Sequence, residues 1–284
     1  MLLRRINQGQ DLRASAFDAL AADYDTTFTH TAVGKALRAL VWSRLDATFQ
    51  PGQRILELGC GTGEDAVRLA QSGVEVLATD LSPQMIAAAD DKARRQGCSA
   101  RIDFRCMAME DTPALLESDK IDGVFSNFGA LNCVAGLPSL LAALSSRLDP
   151  GAPLVLVLMG RHVPWEWLWY LGRGDPRKSV RRLGRQGVVW RGMQITYPTP
   201  TEATALLRPH FAVTRVSPLG CVLPPSYAAA WLDDAPRVLD FLTRLEERAQ
   251  RFAALASLSD HYIIEATKAP AAVLNHRPDS RHSP

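Results

Sequence analysis

A glycine loop flanked by acidic residues is the part of this chain whose residue types and spacing could do chemistry. Gly59, Gly61 and Gly63 follow an apolar run and precede a segment with helical periodicity. A dinucleotide-binding loop spaces its glycines G-x-G-x-x-G, but here the third glycine comes one residue early, and Glu64 and Asp65 follow it. Two acids in the first helical turn suit the helix dipole and would repel a pyrophosphate at the same place. The chain contains no G-K-[ST] tripeptide either, so a P-loop is excluded.

An acidic residue at the end of the next apolar run suggests a ribose site. This run covers residues 74–79 and ends at Asp80. An ionised carboxylate can accept hydrogen bonds from both ribose hydroxyls, and its charge strengthens them. Glu57, in the run before the glycines, adds a further acid. The segment therefore predicts a nucleoside-binding βαβ unit, and its acids favour a cationic nucleoside such as S-adenosylmethionine.

Three motifs resemble those of class I S-adenosylmethionine-dependent methyltransferases. They are residues 57–63 (ELGCGTG), 80–85 (DLSPQM) and 125–129 (FSNFG), and the resemblance covers roughly residues 50–160. It is closest to the small-molecule group that includes the ubiquinone and menaquinone C-methyltransferases. The resemblance implies a Rossmann-like α/β fold, with a doubly wound, seven-stranded, mostly parallel sheet, N-terminal helices and a cap inserted after the fifth strand.

The resemblance also implies cofactor contacts. Asp80 is expected to hold the ribose hydroxyls and Leu81 to pack against the adenine. The family usually supplies an acid to the adenine amino group after the third strand, but this position is Ala108 here, so the backbone near Met109 or the side chain of Glu110 is the alternative. The predicted cofactor-binding residues are Glu57, Gly59, Cys60, Gly61, Gly63, Asp80, Leu81, Met85, Ala108, Met109 and Asn127.

Composition limits the class of protein. The chain has 284 residues, of which 47% are hydrophobic and 22% charged, as is ordinary for a globular protein of one or two domains. Its net charge of +2 gives no overall basic footprint for nucleic acid. The five cysteines are scattered and form no C-x-x-C pair, which favours reduced thiols in a cytoplasmic protein. The sequence indicates no signal peptide, no membrane span and no metal cluster.

Alternating strand and helix patterns predict a parallel sheet, whose ligands bind at the carboxyl ends of the strands. This rule gathers residues 57–63, Asp80, residues 127–129 and residues 160–162 around one crevice. The expected organisation is a helical lid (1–50), a cofactor-binding core (51–160), a cap (161–200), completion of the core (201–268) and a disordered tail (269–284). After the cap helices we expect a hairpin over 188–197, a helix over 201–208, a strand over 211–218, two helices between 226 and 258, and a last, antiparallel strand over 261–267.

The predicted cap combines aromatic and basic residues. Residues 161–191 hold four of the six tryptophans and eight arginines or lysines, against Glu166 and Asp175. One interpretation is a buried helix with a solvated basic flank. A second is a pocket for a large apolar or aromatic acceptor, with an arginine holding an anionic group, and a third is contact with a membrane surface. The predicted substrate residues are Trp165, Trp169 and Arg161.

Methyl transfer from a sulfonium is an in-line displacement, so an enzyme mainly aligns the reacting atoms and excludes water. Asn127 follows the fourth strand, where the resembled family has groups near the transferring methyl. Where the acceptor must lose a proton, a positioned base is needed, and the candidates are Tyr24, His30 and His162. The alternatives are surface histidines and a tyrosine packed in the core.

These patterns favour a methyltransferase that acts at carbon or oxygen of a small, lipophilic or aromatic acceptor. RNA or protein methylation is the alternative enzyme class, and the low net charge opposes it. A non-catalytic cofactor-binding partner subunit is the third hypothesis, and the intact glycine loop and Asp80 oppose it. We expect a small-molecule partner, no nucleic acid and a cytoplasmic location, with peripheral membrane contact through the cap as a further hypothesis. The oligomeric state stays open.

Overall fold

The computed structural model describes residues 14–116 and 120–270. Seven strands form one sheet, in the order β3-β2-β1-β4-β5-β9-β8, and a separate hairpin pairs β6 with β7. Their bounds are β1 (Arg54–Leu58), β2 (Glu75–Asp80), β3 (Ile102–Cys106), β4 (Gly123–Ser126), β5 (Pro153–Met159), β6 (Val188–Trp190), β7 (Met193–Ile195), β8 (Phe211–Leu219) and β9 (His261–Lys268). Only β9 runs antiparallel to its neighbours in the large sheet, which confirms the predicted seven-stranded, mostly parallel fold and its antiparallel last strand.

Helices cover both faces of the sheet. Their bounds are α1 (14–21), α2 (Ala32–Thr48), α3 (Glu64–Gln71), α4 (Pro83–Arg95), α5 (Thr112–Leu115), α6 (Leu137–Ser145), α7 (Pro164–Leu171), α8 (Pro176–Ser179), α9 (Pro200–Leu207) and α10 (Pro236–Ala249). Ser82 is the N-cap of α4, since its hydroxyl accepts from the Met85 N–H and Pro83 is the first helical residue.

Alternate residues of β5 enter opposite layers of the core. Val155 and Val157 pack with residues of α2 and α3, whereas Leu154, Leu156 and Leu158 pack with residues of α6 and α9. All five are buried, as expected for a central strand that is covered on both faces.

The register of the sheet brings three loops together. Leu58 of β1 lies opposite Thr79 of β2, and Glu57 lies opposite Phe125 of β4, both in parallel pairing. The carboxyl ends of β1, β2 and β4 are therefore neighbours, and the loops that follow them begin at the same edge of the sheet.

The segment between β8 and β9 differs from the expectation. It contains one α-helix, α10, with short 3₁₀ turns on either side, so the prediction of two helices between 226 and 258 was wrong. Pro236 is the first residue of α10, and it has no N–H with which to continue a helix from upstream. Pro224 and Pro225 disfavour a helix earlier in the segment for the same reason. The predicted hairpin is confirmed as β6–β7.

The predicted lid and tail extend past the residues that the structure describes. Residues 1–13 of the lid and residues 271–284 of the tail lie outside them. Ala269 is buried and its N–H donates to the His210 carbonyl, so the packed structure extends to the start of the predicted tail. No helix in the described ranges is long and apolar enough to cross a membrane.

Candidate active site

The glycine loop needs its glycines for two physical reasons. Gly59, Gly61 and Gly63 have φ of 72°, 53° and 75°, a region that residues with a Cβ rarely adopt. A Cβ on Gly59 would lie 2.4 Å from the Ala130 Cβ, and one on Gly63 would lie 2.7 Å from the Ala89 Cβ. A Cβ on Gly61 would meet no atom within 4 Å, because this glycine faces the open cavity.

Asp80 is fixed at the edge of this cavity by the backbone around it. Its Oδ2 accepts from the Gly61 N–H and its Oδ1 from the Ser82 N–H, both at 2.9 Å. Burial raises the pKa of the Asp80 carboxyl, while the backbone N–H groups favour its ionised form. The carboxylate lines the cavity and is held in one orientation, as a ribose contact requires.

The adenine end of the predicted site is apolar. Leu81, Met85, Ala108 and Met109 line the cavity beside Asp80, and Glu110 joins them. Eight of the eleven predicted cofactor residues line the cavity: Gly59, Gly61, Asp80, Leu81, Met85, Ala108, Met109 and Asn127.

The other three predicted cofactor residues lie beneath or beside the loop. Glu57 is buried at the end of β1, and burial, followed by the charge of Asp65, raises its pKa well above the usual range. Burial also raises the pKa of the Cys60 thiol, whose Sγ donates to the Gly61 carbonyl, so this thiol stays protonated. Gly63 is the N-cap of α3. These residues shape the loop and do not line the cavity.

A buried ionic network under the loop was missed from the sequence. Asp65 Oδ2 accepts from Arg38 Nη1 at 2.6 Å and from Asn127 Nδ2 at 2.8 Å, and its Oδ1 accepts from Trp42 Nε1 at 2.8 Å. The side chains of Asp65 and Arg38 are each only 5% exposed. Asp65 therefore orients Asn127 at the cavity edge. The available signal was Arg38 itself, a charged residue on the apolar face of α2.

Phe128 links this network to the cavity through a strained backbone. Its φ is +43°, which is unusual for a residue with a bulky side chain. The Asn127 side-chain oxygen accepts from the Phe128 N–H at 2.8 Å. The Phe128 ring contacts Phe28 and His261 edge-on, and the Arg38 guanidinium lies 4.8 Å from its centroid. These contacts hold the turn in which Phe128 and Gly129 line the cavity.

The same cavity continues from the glycine loop to an aromatic and apolar wall, with a volume of about 350 Å³. The inward side chains of the β6–β7 hairpin, Val188, Trp190 and Ile195, form part of this wall, while Val189 between them is exposed. The remaining wall residues are Phe17, Cys133, Met159, Arg181, Arg182 and Tyr197.

The predicted substrate residues do not line this wall. Trp165 Nε1 donates to the Val222 carbonyl, and the Trp169 ring is covered by the Arg173 guanidinium. Arg161 is ion-paired with Glu202 at 2.7 Å and donates to the Tyr197 carbonyl. Trp165 and Arg161 thus tie the predicted cap to Val222 and Glu202 outside it, and Arg173 covers Trp169. Trp190 and Tyr197 line the cavity instead of Trp165 and Trp169.

Comparisons with known proteins agree with this geometry. A methyltransferase domain model matches residues 55–151. The tRNA 5-carboxymethoxyuridine methyltransferase of Escherichia coli (strain K12) is 33% identical over 177 residues, covering 59% of this chain and 67% of that protein. The chain belongs to the family of S-adenosylmethionine-dependent methyltransferases.

A second relative supports the same family, and a solved structure supports the fold. The demethylmenaquinone methyltransferase of Clavibacter sepedonicus is 32% identical over 146 residues, covering 50% of this chain and 56% of that protein. The crystal structure of a putative S-adenosylmethionine-dependent methyltransferase from Listeria monocytogenes has a TM-score of 0.54 at 20% identity, covering 83% of this chain and 99% of that chain. This methyltransferase thus spans about two thirds of one curated relative and little more than half of the other.

Of the three predicted bases in this methyltransferase, only Tyr24 lines the cavity. Burial raises the pKa of its hydroxyl, so the hydroxyl stays protonated near neutral pH and favours donating a hydrogen bond. His30 is exposed in a separate groove with Lys35 and Asp233, and His162 packs edge-on against Trp167. No histidine within residues 14–116 and 120–270 lines the cavity.

One group of possible metal ligands was not expected from the sequence. Ligand atoms of Asp25, His30 and Glu64 lie within 4.8 Å of one another. The Lys92 ammonium lies 2.7 Å from Asp25 and 2.8 Å from Glu64. Lys92 therefore already supplies the positive charge between these carboxylates in the methyltransferase, and Asp25 ties the segment before α2 to the glycine loop through the Thr62 hydroxyl.

Proposed function

We propose that this methyltransferase moves a methyl group from S-adenosylmethionine to an oxygen or carbon atom of a small, largely apolar, aromatic acceptor. The observation that carries the proposal is the single cavity that joins Asp80 and the glycine loop to Trp190 and Tyr197. Donor and acceptor must share one space for an in-line displacement, and an aromatic wall favours a planar, apolar acceptor.

The residues at the loop fit the proposed donor. The sulfonium of the cofactor supplies an activated methyl group, so the protein needs to bind the cofactor and the acceptor, align the reacting atoms and exclude water. Asp80 is the proposed ribose contact, Leu81 and Met85 enclose the adenine, and Glu110 is the proposed partner of the adenine amino group in place of Ala108. Asn127, which Asp65 orients, is the residue that we place beside the transferring methyl group.

Contacts between α1 and the β6–β7 hairpin favour a small acceptor over RNA. Phe17 in α1 lies 6.0 Å from the ring centroid of Trp190, and Arg191 Nη1 donates to the Ala16 carbonyl at 3.2 Å. These contacts cover the acceptor half of the cavity. A nucleotide within RNA would need an open basic groove. The quinone relative supports a small acceptor, and the tRNA relative makes RNA the competing substrate in the test.

We test the proposal with S-adenosylmethionine that carries a labelled methyl group, a panel of naphthoquinols and catechols, and bulk tRNA. We expect label in a small aromatic product, and transfer at least tenfold slower in the Trp190→Ala variant. Binding of S-adenosylhomocysteine should be unchanged. Trp231→Ala is the matched control, because Trp231 is half exposed and outside the cavity lining. Label in tRNA alone, or equal rates in the two variants, would contradict the proposal.

The outer surface of the cap favours contact with an anionic membrane, from which a lipophilic acceptor can be drawn. Leu168, Leu171 and Val189 are more than half exposed, and Arg173 and Arg177 are exposed near them in sequence. Apolar side chains flanked by cations suit the interface of an anionic bilayer. We expect the protein to sediment with phosphatidylglycerol vesicles and not with phosphatidylcholine vesicles, and Leu168→Asp to abolish this. Equal binding to both vesicles would refute the charge argument.

A further inference from the structure

Two consecutive arginines, Arg181 and Arg182, line the acceptor half of the cavity. Arg182 is almost fully buried, with 8% of its side chain exposed, and its Nη2 lies 2.8 Å from Glu166 and 3.0 Å from Asp260. Its Nη1 donates to the Gly160 carbonyl at the end of β5. Arg182 is thus fixed between the carboxyl end of β5 and the start of β9.

Arg181 pairs with a single carboxylate, and its guanidinium carbon lies 5.5 Å from the centroid of the Tyr170 ring. Its Nε lies 2.7 Å from Glu166 Oε1 and its Nη2 lies 3.3 Å from Oε2 of the same carboxylate. Its Nη1 makes no hydrogen bond to any of the residues described in the structure, and 34% of its side chain is exposed. The Nη1–Nη2 edge of the guanidinium therefore stays available, in a wall whose other residues apart from Arg182 are mostly aromatic or apolar.

The charges around this edge are balanced before a ligand arrives. Arg181 and Arg182 face two carboxylates, Glu166 and Asp260, and Glu166 also accepts from the Tyr227 hydroxyl at 3.0 Å. An acceptor anion is therefore not repelled by the cluster as a whole, and the N–H groups on the Nη1–Nη2 edge of Arg181 are available to bind it. The cofactor has a net charge of +1, since it has a sulfonium, an ammonium and one carboxylate. A singly charged acceptor anion neutralises it in the ternary complex.

We propose that the aromatic acceptor carries a carboxylate and that Arg181 binds it through the Nη1–Nη2 edge. The planar guanidinium edge matches the two oxygens of a carboxylate, which a lysine would not do. Glu166 and Arg182 are positioning residues, because they fix Arg181 from behind. This inference rests on the proposed function, and it adds a charged group to the otherwise apolar acceptor.

The test compares two probes of the same shape, 2-naphthoate and 2-naphthamide, by calorimetry in the presence of saturating S-adenosylhomocysteine. We expect the wild-type protein to bind 2-naphthoate at least tenfold more tightly than 2-naphthamide. Arg181→Met should reduce this ratio to within twofold and leave the affinity for S-adenosylhomocysteine unchanged. Arg177→Met is the matched control, because Arg177 is an exposed arginine of the same cap that does not line the cavity, and it should keep the preference.

The possible results separate the two proposals. Equal affinity for both probes in the wild type, or a preference that persists in Arg181→Met, would overturn the carboxylate assignment while leaving the aromatic acceptor standing. If S-adenosylhomocysteine binds but neither probe does, the aromatic acceptor itself is refuted, and the carboxylate assignment falls with it.

Discussion

Replacing Asp65 by asparagine tests whether the buried network organises the site. Asp65 accepts three side-chain hydrogen bonds, from Arg38, Trp42 and Asn127. Asparagine has nearly the same shape but carries no charge, and one of its two terminal atoms is a donor. Asp65→Asn therefore leaves the Arg38 guanidinium buried without its counter-ion and turns at least one accepted hydrogen bond into a contact between donors.

The expected loss follows from the burial of the pair. Removing one partner of a buried ion pair costs about 3–5 kcal/mol, because the remaining charge is uncompensated. The side chains of Arg38 and Asp65 are each 5% exposed, so water screens this pair little. We expect Asp65→Asn to lower the free energy of unfolding by about 4 kcal/mol, a large share of the 5–15 kcal/mol typical of a folded protein.

Urea unfolding at neutral pH measures this loss, and a double variant identifies its cause. Arg38→Met combined with Asp65→Asn removes the stranded charge, so it should be more stable than Asp65→Asn alone by about 2 kcal/mol. Asp46→Asn is the matched control. Asp46 pairs with Arg68 at 2.7 Å, but both side chains are at least one third exposed, so its effect should stay below about 1 kcal/mol.

Calorimetry with S-adenosylhomocysteine gives the functional readout, because Asn127 loses its anchor in Asp65→Asn. We expect weaker binding in this variant and not in Asp46→Asn. An Asp65→Asn protein within 1 kcal/mol of the wild type, or a double variant no more stable than the single one, would refute the reasoning.

Two further substitutions test other buried carboxyl groups. The pKa of Glu57 is raised in the folded protein, so its contribution to stability is greatest below its usual pKa of 4.5 and is lost as the pH rises through the folded value. The free energy of unfolding of Glu57→Gln, measured with urea, should therefore rise relative to that of the wild type as the pH increases from 5 to 8. A difference between the two proteins that does not change with pH would contradict this. Glu246 is fully buried and accepts four backbone N–H groups, from residues 220–223. Glu246→Gln should lower the free energy of unfolding by about 3 kcal/mol, since two of these donors would face an amide N–H₂, whereas the exposed neighbour Glu247→Gln should change little.

The cofactor half of the site could be predicted because its information is local. The spacing of Gly59, Gly61 and Gly63 and the acid at the end of the next strand lie within one βαβ unit, and the parallel sheet brings their ends together. The Arg38–Asp65 network could not be derived in the same way. Its two partners come from α2 and α3. Sequence periodicity does not predict which residues of two helices meet when the helices pack in the folded protein.

For the proposed acceptor half, composition predicted the kind of residues but did not identify which of them line the cavity. Composition identified an aromatic and basic cap, but an eight-residue helix rich in tryptophan gives no clear inward face, so Trp165 and Trp169 were chosen over Trp190. The hairpin offered a better signal, since Val188 and Trp190 alternate with the exposed Val189. Among the arginines, Arg161 was predicted to bind the substrate, but it pairs with Glu202, and Arg181 lines the cavity instead. The sequence does not reveal these partners.

The position of β9 inside the sheet, next to the edge strand β8, has a consequence for how the protein is made. β9 comes last among the described strands, yet it lies between β5 and β8. As the nascent chain leaves the ribosome, β5 and β8 must wait with unpaired edges until residues 261–268 have been synthesised, and such edges favour aggregation. Asp260, just before β9, supplies one of the two carboxylates that hold Arg182. A polypeptide halted before residue 260 would therefore lack Asp260 behind Arg182 and His261 beside Phe128, and the wall for the molecule to be methylated would be unfinished.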